Sequence, residues 1–148
     1  MTDIAVKGYH AHVYYDAATR PAAEKLRDRV ASRFPVELGR FSDAPIGPHP
    51  ISQFAVILKT EQFQDVVSWL MFNREDLDVL VHPLSDDSVL DHSKYALWLG
   101  TPVPMKLEVL PHSVDQLTWA FLDVSDAGGT LAIEWDKTMA SVAFRVGQ

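Results

Sequence analysis

The sequence predicts an α+β protein whose core is a ferredoxin-like, βαββαβ antiparallel sheet with two helices on one face, followed by a C-terminal extension. Three observations lead to this fold class. Short alternating or continuous apolar segments indicate strands, two longer segments have apolar residues at helical spacing, and the segments follow one another in the βαββαβ order. A chain of 148 residues is expected to be a single domain, 1–148, with the core at 7–110 and an extension at 111–148.

The first predicted strand, Gly8–Tyr15, has two chemically different faces. Successive side chains of a strand point to opposite sides of the sheet. One face therefore presents His10, His12 and Tyr14, and the other presents Tyr9, Ala11, Val13 and Tyr15. We expect the second, more apolar face to meet the helices and the histidine face to be open.

The next elements complete the predicted core. Thr19 and Pro21 begin an amphipathic helix, Pro35 ends it, and Val36–Phe41 forms a short second strand. Ser42–Pro50 contains three prolines and a glycine and is therefore a loop.

A buried strand, a second helix and a fourth strand follow this loop. The strand Ser52–Lys59 is apolar except at its ends, and Thr60 precedes the helix, whose apolar stripe runs from Phe63 to Met71. The last strand of the core is Asp78–His82.

The remainder of the chain gives weaker patterns. Ser85–Gly100 is expected to lie over or beside the open face of the sheet, and Met105–Leu110 alternates like a fifth strand. Ser113–Val124 has apolar residues at helical spacing and is predicted as a helix, whereas Thr130–Trp135 and Ser141–Val146 are predicted as a hairpin.

Composition excludes several classes of function. The net charge is -7 and no basic cluster is present, so nucleic acid and anionic membranes are poor partners. The absence of cysteine excludes disulfides, thiolate nucleophiles, zinc fingers and iron-sulfur clusters. No leader-like segment or apolar run of about 20 residues is found, from which we expect a cytoplasmic protein.

The histidines form the most informative pattern. His10 and His12 lie about 7 Å apart on one face of a strand, which lets both rings reach one ion. The fourth strand runs antiparallel beside the first, so its end should bring His82 close to His10. The topology therefore predicts that three histidines converge.

The residue types at this site exclude some reactions but do not select a single one. There is no glycine-rich phosphate loop and no G-x-S-x-G motif. A site of nitrogen and oxygen ligands suits Zn(II) hydrolysis or Fe(II) dioxygen chemistry, and the spacing does not choose between them. His49 reaches the cluster only if its loop folds back, His92 is equally consistent with a packing role, and His112 is expected at the surface.

Four separated segments resemble the DOPA 4,5-dioxygenase family of extradiol ring-opening enzymes, bacterial members included. They are GYHAHVYYD, GPHP, VHPLSDD and DHSKYALWLG, within about residues 7–110. The resemblance implies a non-haem metal and cleavage of a catechol ring beside its hydroxyl groups. The histidines that match the family's motifs are His10, His12, His49, His82 and His92.

We therefore expect a dioxygenase that acts on a catechol such as DOPA, or a related aromatic, with dioxygen. His10, His12 and His82 are the predicted metal ligands, for Fe(II) in function and with Zn(II) as an alternative in a purified sample. His49 and His92 are the acid-base or substrate-orienting candidates, and Tyr14 is placed to orient substrate.

Two rival functions and an oligomeric state complete the expectations. A non-catalytic ferredoxin-like domain would use the open face for a small ligand or a dimer partner, and a zinc hydrolase would use the same histidines. Aromatic residues concentrated late in the chain, Trp98, Trp119 and Trp135, together with free strand edges, favour a homodimer.

Overall fold

A computed structural model of the chain describes residues 4–110, 114–125, 127–136 and 138–145. The chain divides into two compact units, 1–110 and 111–148. The first unit contains the predicted core and all the histidines whose positions are described. His112, predicted at the surface, lies outside the described residues.

The first unit is built on an antiparallel sheet of five strands. Their order across the sheet is β2-β3-β1-β4-β5, and each strand is antiparallel to its neighbours. The α+β class and the antiparallel sheet are thus confirmed. The strands are β1 Tyr9–Tyr14, β2 Glu37–Leu38, β3 Gln53–Leu58, β4 Val79–Pro83 and β5 Leu97–Leu99.

Two helices, α1 (Arg20–Arg33) and α2 (Phe63–Asn73), pack on one face of this sheet. Pro21 stands in the first turn of α1, where its missing N–H is not needed. The buried side chains of both helices join a single core with strand residues, and full burial of one such side chain, Leu26, contributes about 2 kcal/mol. The core members are Ala11, Val13, Tyr15, Ala23, Leu26, Val30, Phe54, Val56, Leu58, Val66, Val67, Leu70, Leu77, Val79, Val81 and Leu99.

The alternation of β1 divides the sheet as predicted. Ala11 and Val13 enter the helix-side core, whereas His12 and Tyr14 lie on the opposite face. His12 is nevertheless only 7% exposed, because later segments cover this face. We call it the histidine face.

Residues 85–110 differ in part from the prediction. Ser88–Asp91 forms one helical turn, α3, and β5 extends the sheet beyond β4. Met105–Leu110 is not a strand, since Leu107–Val109 forms a 3-10 turn. The backbone N–H of Lys106 donates to the carbonyl of Pro48, which ties this segment to the loop before β3.

The second unit is a three-stranded antiparallel sheet. Its strands, in the order β6-β7-β8, are β6 Val114–Ser125, β7 Gly128–Asp136 and β8 Thr138–Arg145. The predicted hairpin is confirmed, but the helix predicted over Ser113–Val124 is wrong. Val114–Ser125 instead pairs with β7, through a register that two irregularities interrupt, so strand pairing prevails over the helical spacing of the apolar residues. Within the described residues, no helix is long and apolar enough to cross a bilayer.

Candidate metal centre

Three histidines meet where β1 and β4 run side by side. His10 and His82 are direct partners in the antiparallel register, and His12 lies two residues further along β1 on the same face. The strand prediction therefore holds for these three positions. The ring centroids of His10, His12 and His82 are 5.3 to 5.4 Å apart in every pair.

His49 lies on the loop before β3, and its ring contacts the same histidine cluster. The loop closes on itself, because Ile46 and His49 exchange two backbone hydrogen bonds of 3.1 Å. The side chain of His49 is 5% exposed, and its ring centroid lies 4.0 Å from that of His12. The loop thus folds back onto the histidine face.

His92 comes from the end of α3. Asp87 begins this turn by accepting the backbone N–H of Leu90, and the buried carboxylate of Asp91 accepts the N–H and the hydroxyl of Ser85. These bonds fix the segment so that the ring of His92 lies 3.9 Å from that of His82. Asp91 is itself buried, and its carboxylate serves this internal bond.

Three of the five rings have a defined proton position. A carbonyl oxygen only accepts, so the ring nitrogen beside it must carry the hydrogen. Nδ1 of His12 donates to Oε1 of Gln53 at 2.9 Å. Nδ1 of His82 donates to the carbonyl of Pro83 at 2.7 Å, and Nδ1 of His92 donates to the carbonyl of Ser88 at 2.8 Å. Each of these rings, when neutral, therefore has a free lone pair on Nε2.

Two of these lone pairs are buried without a hydrogen-bond partner. Nε2 of His12 and Nε2 of His82 have no partner within the described part of the chain. A buried polar atom in this condition costs free energy unless something else binds it. A metal ion, for which imidazole nitrogen is a good ligand, satisfies both atoms.

The potential ligand atoms form two overlapping groups. His10, His12 and His82 make one group, and His12, His49 and His92 make the other, with the atoms of each group within 4.8 Å of one another. His12 belongs to both groups but offers one free nitrogen, so the two groups describe alternative sites around the same ring. The orphaned Nε2 of His82 favours the first group.

Burial keeps the cluster neutral. Desolvation is the main cause of a lowered pKa at all five histidines, and repulsion from neighbouring rings adds to it at four of them: His10, His12, His49 and His82. The pKa falls to about 4 for His49 and to about 3 for His82. Neutral imidazoles are the form that binds metal, so the cluster is ready for a cation at neutral pH.

An aromatic wall adjoins the histidines. The hydroxyl of Tyr14 lies 2.8 Å from Nδ1 of His49 and 3.5 Å from the sulfur of Met105. The ring of Tyr14 stacks on that of Trp98 at 5.8 Å. Burial raises the pKa of Tyr14 well above its ordinary value, so the phenol stays protonated and acts through hydrogen bonds.

Gln53, Trp98 and Met105 also line the site, although the sequence patterns alone did not predict them there. Gln53 had a detectable signal, because it is a polar side chain at the beginning of an otherwise apolar strand. Trp98 lies in the DHSKYALWLG segment that carries the family resemblance, but its position in the site, like that of Met105, depends on the path of residues 85–106.

Comparison with known proteins identifies the family. Residues 9–109 match the sequence profile of the Dopa 4,5-dioxygenase family. The chain is 35% identical over 126 residues to the DOPA 4,5-dioxygenase of Amanita muscaria, covering 79% of this chain and 55% of that protein. It is 34% identical over 121 residues to an uncharacterized 21.2 kDa protein of Botryotinia fuckeliana, covering 73% of this chain and 66% of the relative. The chain thus spans between half and two thirds of the length of these relatives.

A solved structure supports the same assignment. A Nostoc punctiforme protein to which dioxygenase activity has been ascribed superposes with a TM-score of 0.69 and is 50% identical. The match covers 70% of this chain and 90% of the Nostoc chain. Since the family profile covers most of the histidine-bearing unit, the chain belongs to the Dopa 4,5-dioxygenase family.

Proposed function

We propose that the protein is a metal-dependent extradiol dioxygenase that opens the ring of a catechol, such as DOPA or a related aromatic, at a bond beside the hydroxyl groups. The observation that carries this proposal is the pair of buried, partnerless Nε2 atoms of His12 and His82 inside a cluster of five histidines. Family membership supports oxygenation over the rival binding and hydrolytic functions.

His10, His12 and His82 would hold the ion, which we propose to be Fe(II) in function, with Zn(II) able to occupy the site in purified protein. Three protein ligands leave coordination positions open. When bound, Fe(II) supplies positions for the catechol oxygens and dioxygen and a path for electrons between them.

The other two histidines of the cluster, His92 and His49, would transfer protons and orient the substrate. The neutral His92 ring has its lone pair on Nε2, because Nδ1 donates to Ser88, so it is able to take a phenolic proton and later return it. His49 is held by Tyr14, and this pair would orient the substrate hydroxyl groups. Desolvation lowers the pKa of His92, and the hydrogen bond to the Ser88 carbonyl and the neighbouring carboxylate of Asp91 partly offset this lowering.

The substrate class follows from the wall beside the histidines. Tyr14 and Trp98 present stacked rings next to His49, a surface that suits a flat aromatic molecule. We also propose that the 1–110 unit has the ferredoxin-like topology, for which the observed order β2-β3-β1-β4 is the supporting feature. A cytoplasmic location, with neither nucleic acid nor membrane as partner, stays a prediction.

A catechol panel tests the proposed function. The full chain is loaded with Fe(II) without air, mixed with each catechol, and exposed to air while oxygen uptake and the yellow ring-opened product are followed. Metal-free and Zn(II)-loaded protein are the controls, and a para-diphenol, which lacks adjacent hydroxyl groups, is the control substrate. We expect oxygen uptake only when the protein is loaded with Fe(II) and the substrate has adjacent hydroxyl groups. The absence of uptake with every catechol would contradict the proposal.

A further inference from the structure

Gln53 is a buried amide that contacts the histidine cluster without belonging to it. It is the first residue of β3 and is 7% exposed. In the β1–β3 register it faces Tyr14, two residues from His12, so its side chain lies on the histidine face. From there its Oε1 reaches Nδ1 of His12 at 2.9 Å.

This contact determines which nitrogen of His12 is free. With Oε1 facing the ring, Nδ1 carries the hydrogen and Nε2 keeps its lone pair. The opposite amide orientation would put an N–H against Nδ1 and force the hydrogen onto Nε2. In the described residues Nε2 of His12 has no acceptor for such a hydrogen, so that arrangement leaves a buried donor unpaired.

We propose that Gln53 is a positioning residue that holds His12 in its Nδ1–H tautomer and aims the Nε2 lone pair at the metal. This inference rests on the proposed function in one respect, the role of His12 as a ligand. The two other rings with a fixed Nδ1 hydrogen, His82 and His92, are set by backbone carbonyls. His12 is the one of these three whose tautomer depends on a side chain, and it belongs to both possible ligand groups.

The side chain of Gln53 can be changed without detaching the loop that carries His49. The backbone of Gln53 exchanges hydrogen bonds of 2.8 and 3.0 Å with that of Ser42, at the start of the loop. A substitution leaves these main-chain bonds in place. Gln53→Met keeps the length of the side chain and removes the acceptor, whereas Gln53→Glu keeps an acceptor and adds charge.

The test measures tautomer and metal affinity separately. Long-range proton-nitrogen NMR of the metal-free full chain reports which nitrogen of His12 is protonated. Competition with a chromophoric chelator gives the dissociation constant for Zn(II) and Co(II). Gln64→Met is the matched control, because Gln64 is an exposed glutamine of α2.

We expect Gln53→Met to move part of the His12 population to the Nε2–H tautomer and to weaken metal binding by roughly 10-fold to 100-fold. Gln53→Glu should keep the Nδ1–H tautomer and bind metal at least as tightly as the wild type, and Gln64→Met should change neither quantity. An unchanged tautomer in Gln53→Met would overturn the positioning role, and so would a failure of Gln53→Glu to preserve it. A changed tautomer with unchanged metal affinity would support the positioning of the ring and reject His12 as a ligand, which is a failure of the proposed function.

Discussion

The metal-free protein should lose stability between pH 7 and pH 5 because its histidines are buried in the neutral form. In the folded chain the pKa of His49 is lowered to about 4 and that of His82 to about 3, whereas both titrate near 6.5 when unfolded. Below pH 6.5 the unfolded chain therefore takes up protons that the folded chain does not. The stabilisation from these neutral rings is complete above pH 6.5 and is lost as the pH falls towards the folded values.

The size of the loss follows from these values. A pH of 5 is about 1.5 units below the unfolded pKa of each ring. Each ring therefore lowers the free energy of unfolding by about 2 kcal/mol at this pH. The two together lower the free energy of unfolding by about 4 kcal/mol, a large part of the usual 5–15 kcal/mol. Asp16, Asp43 and Glu75 also have lowered pKa values, but the stability they contribute is lost only below their ordinary values near 4.

Urea unfolding at constant ionic strength measures this loss. The helix band of circular dichroism is a suitable signal, because α1 and α2 both lie in the unit that holds the histidines. His82→Gln removes one titrating ring, so the free energy of unfolding should depend less steeply on pH, by about 1.4 kcal/mol per pH unit. A free energy of unfolding that is constant or rises from pH 7 to pH 5 would show that burial does not hold these rings neutral, as would an unchanged slope in His82→Gln.

Three further predictions concern the site and the assembly. His12→Ala should abolish metal binding with the circular dichroism spectrum unchanged, since both ligand groups contain this ring; one bound metal per chain in the variant would contradict the site. His49→Ala or His92→Ala should lower turnover by roughly 100-fold to 10,000-fold while the metal content stays normal. Loss of metal would instead show that the replaced residue is a metal ligand. The chain should sediment as a homodimer at micromolar concentration, and a species near 16.6 kDa would reject that state.

The positions that lie within regular strands could be predicted from the sequence. The period of two in β1 placed His10, His12 and Tyr14 on one face, and the antiparallel order placed His82 opposite His10. Both inferences need only backbone periodicity and topology, and neither depends on the path of a loop.

Features that depend on loops or on competing patterns could not be predicted. The approach of His92 depends on the bond between Asp91 and Ser85, which no periodicity reveals. The helix predicted over Ser113–Val124 failed because a spacing of three and four residues also occurs by chance in a long strand, and the pairing with β7 decides the outcome. The contact of Gln53 with His12 similarly requires knowledge of the β1–β3 register.

Incorporation of labelled oxygen shows whether this chain inserts dioxygen into a catechol ring. The Fe(II)-loaded protein is mixed with a catechol that supports oxygen uptake, under isotopically labelled dioxygen in unlabelled water. The ring-opened product is trapped, and its mass is measured by mass spectrometry. We expect both atoms of one dioxygen molecule to enter the product, apart from any carbonyl oxygen that exchanges with water. A product whose new oxygen atoms all come from water, or an oxidised catechol with its ring intact, would contradict this expectation.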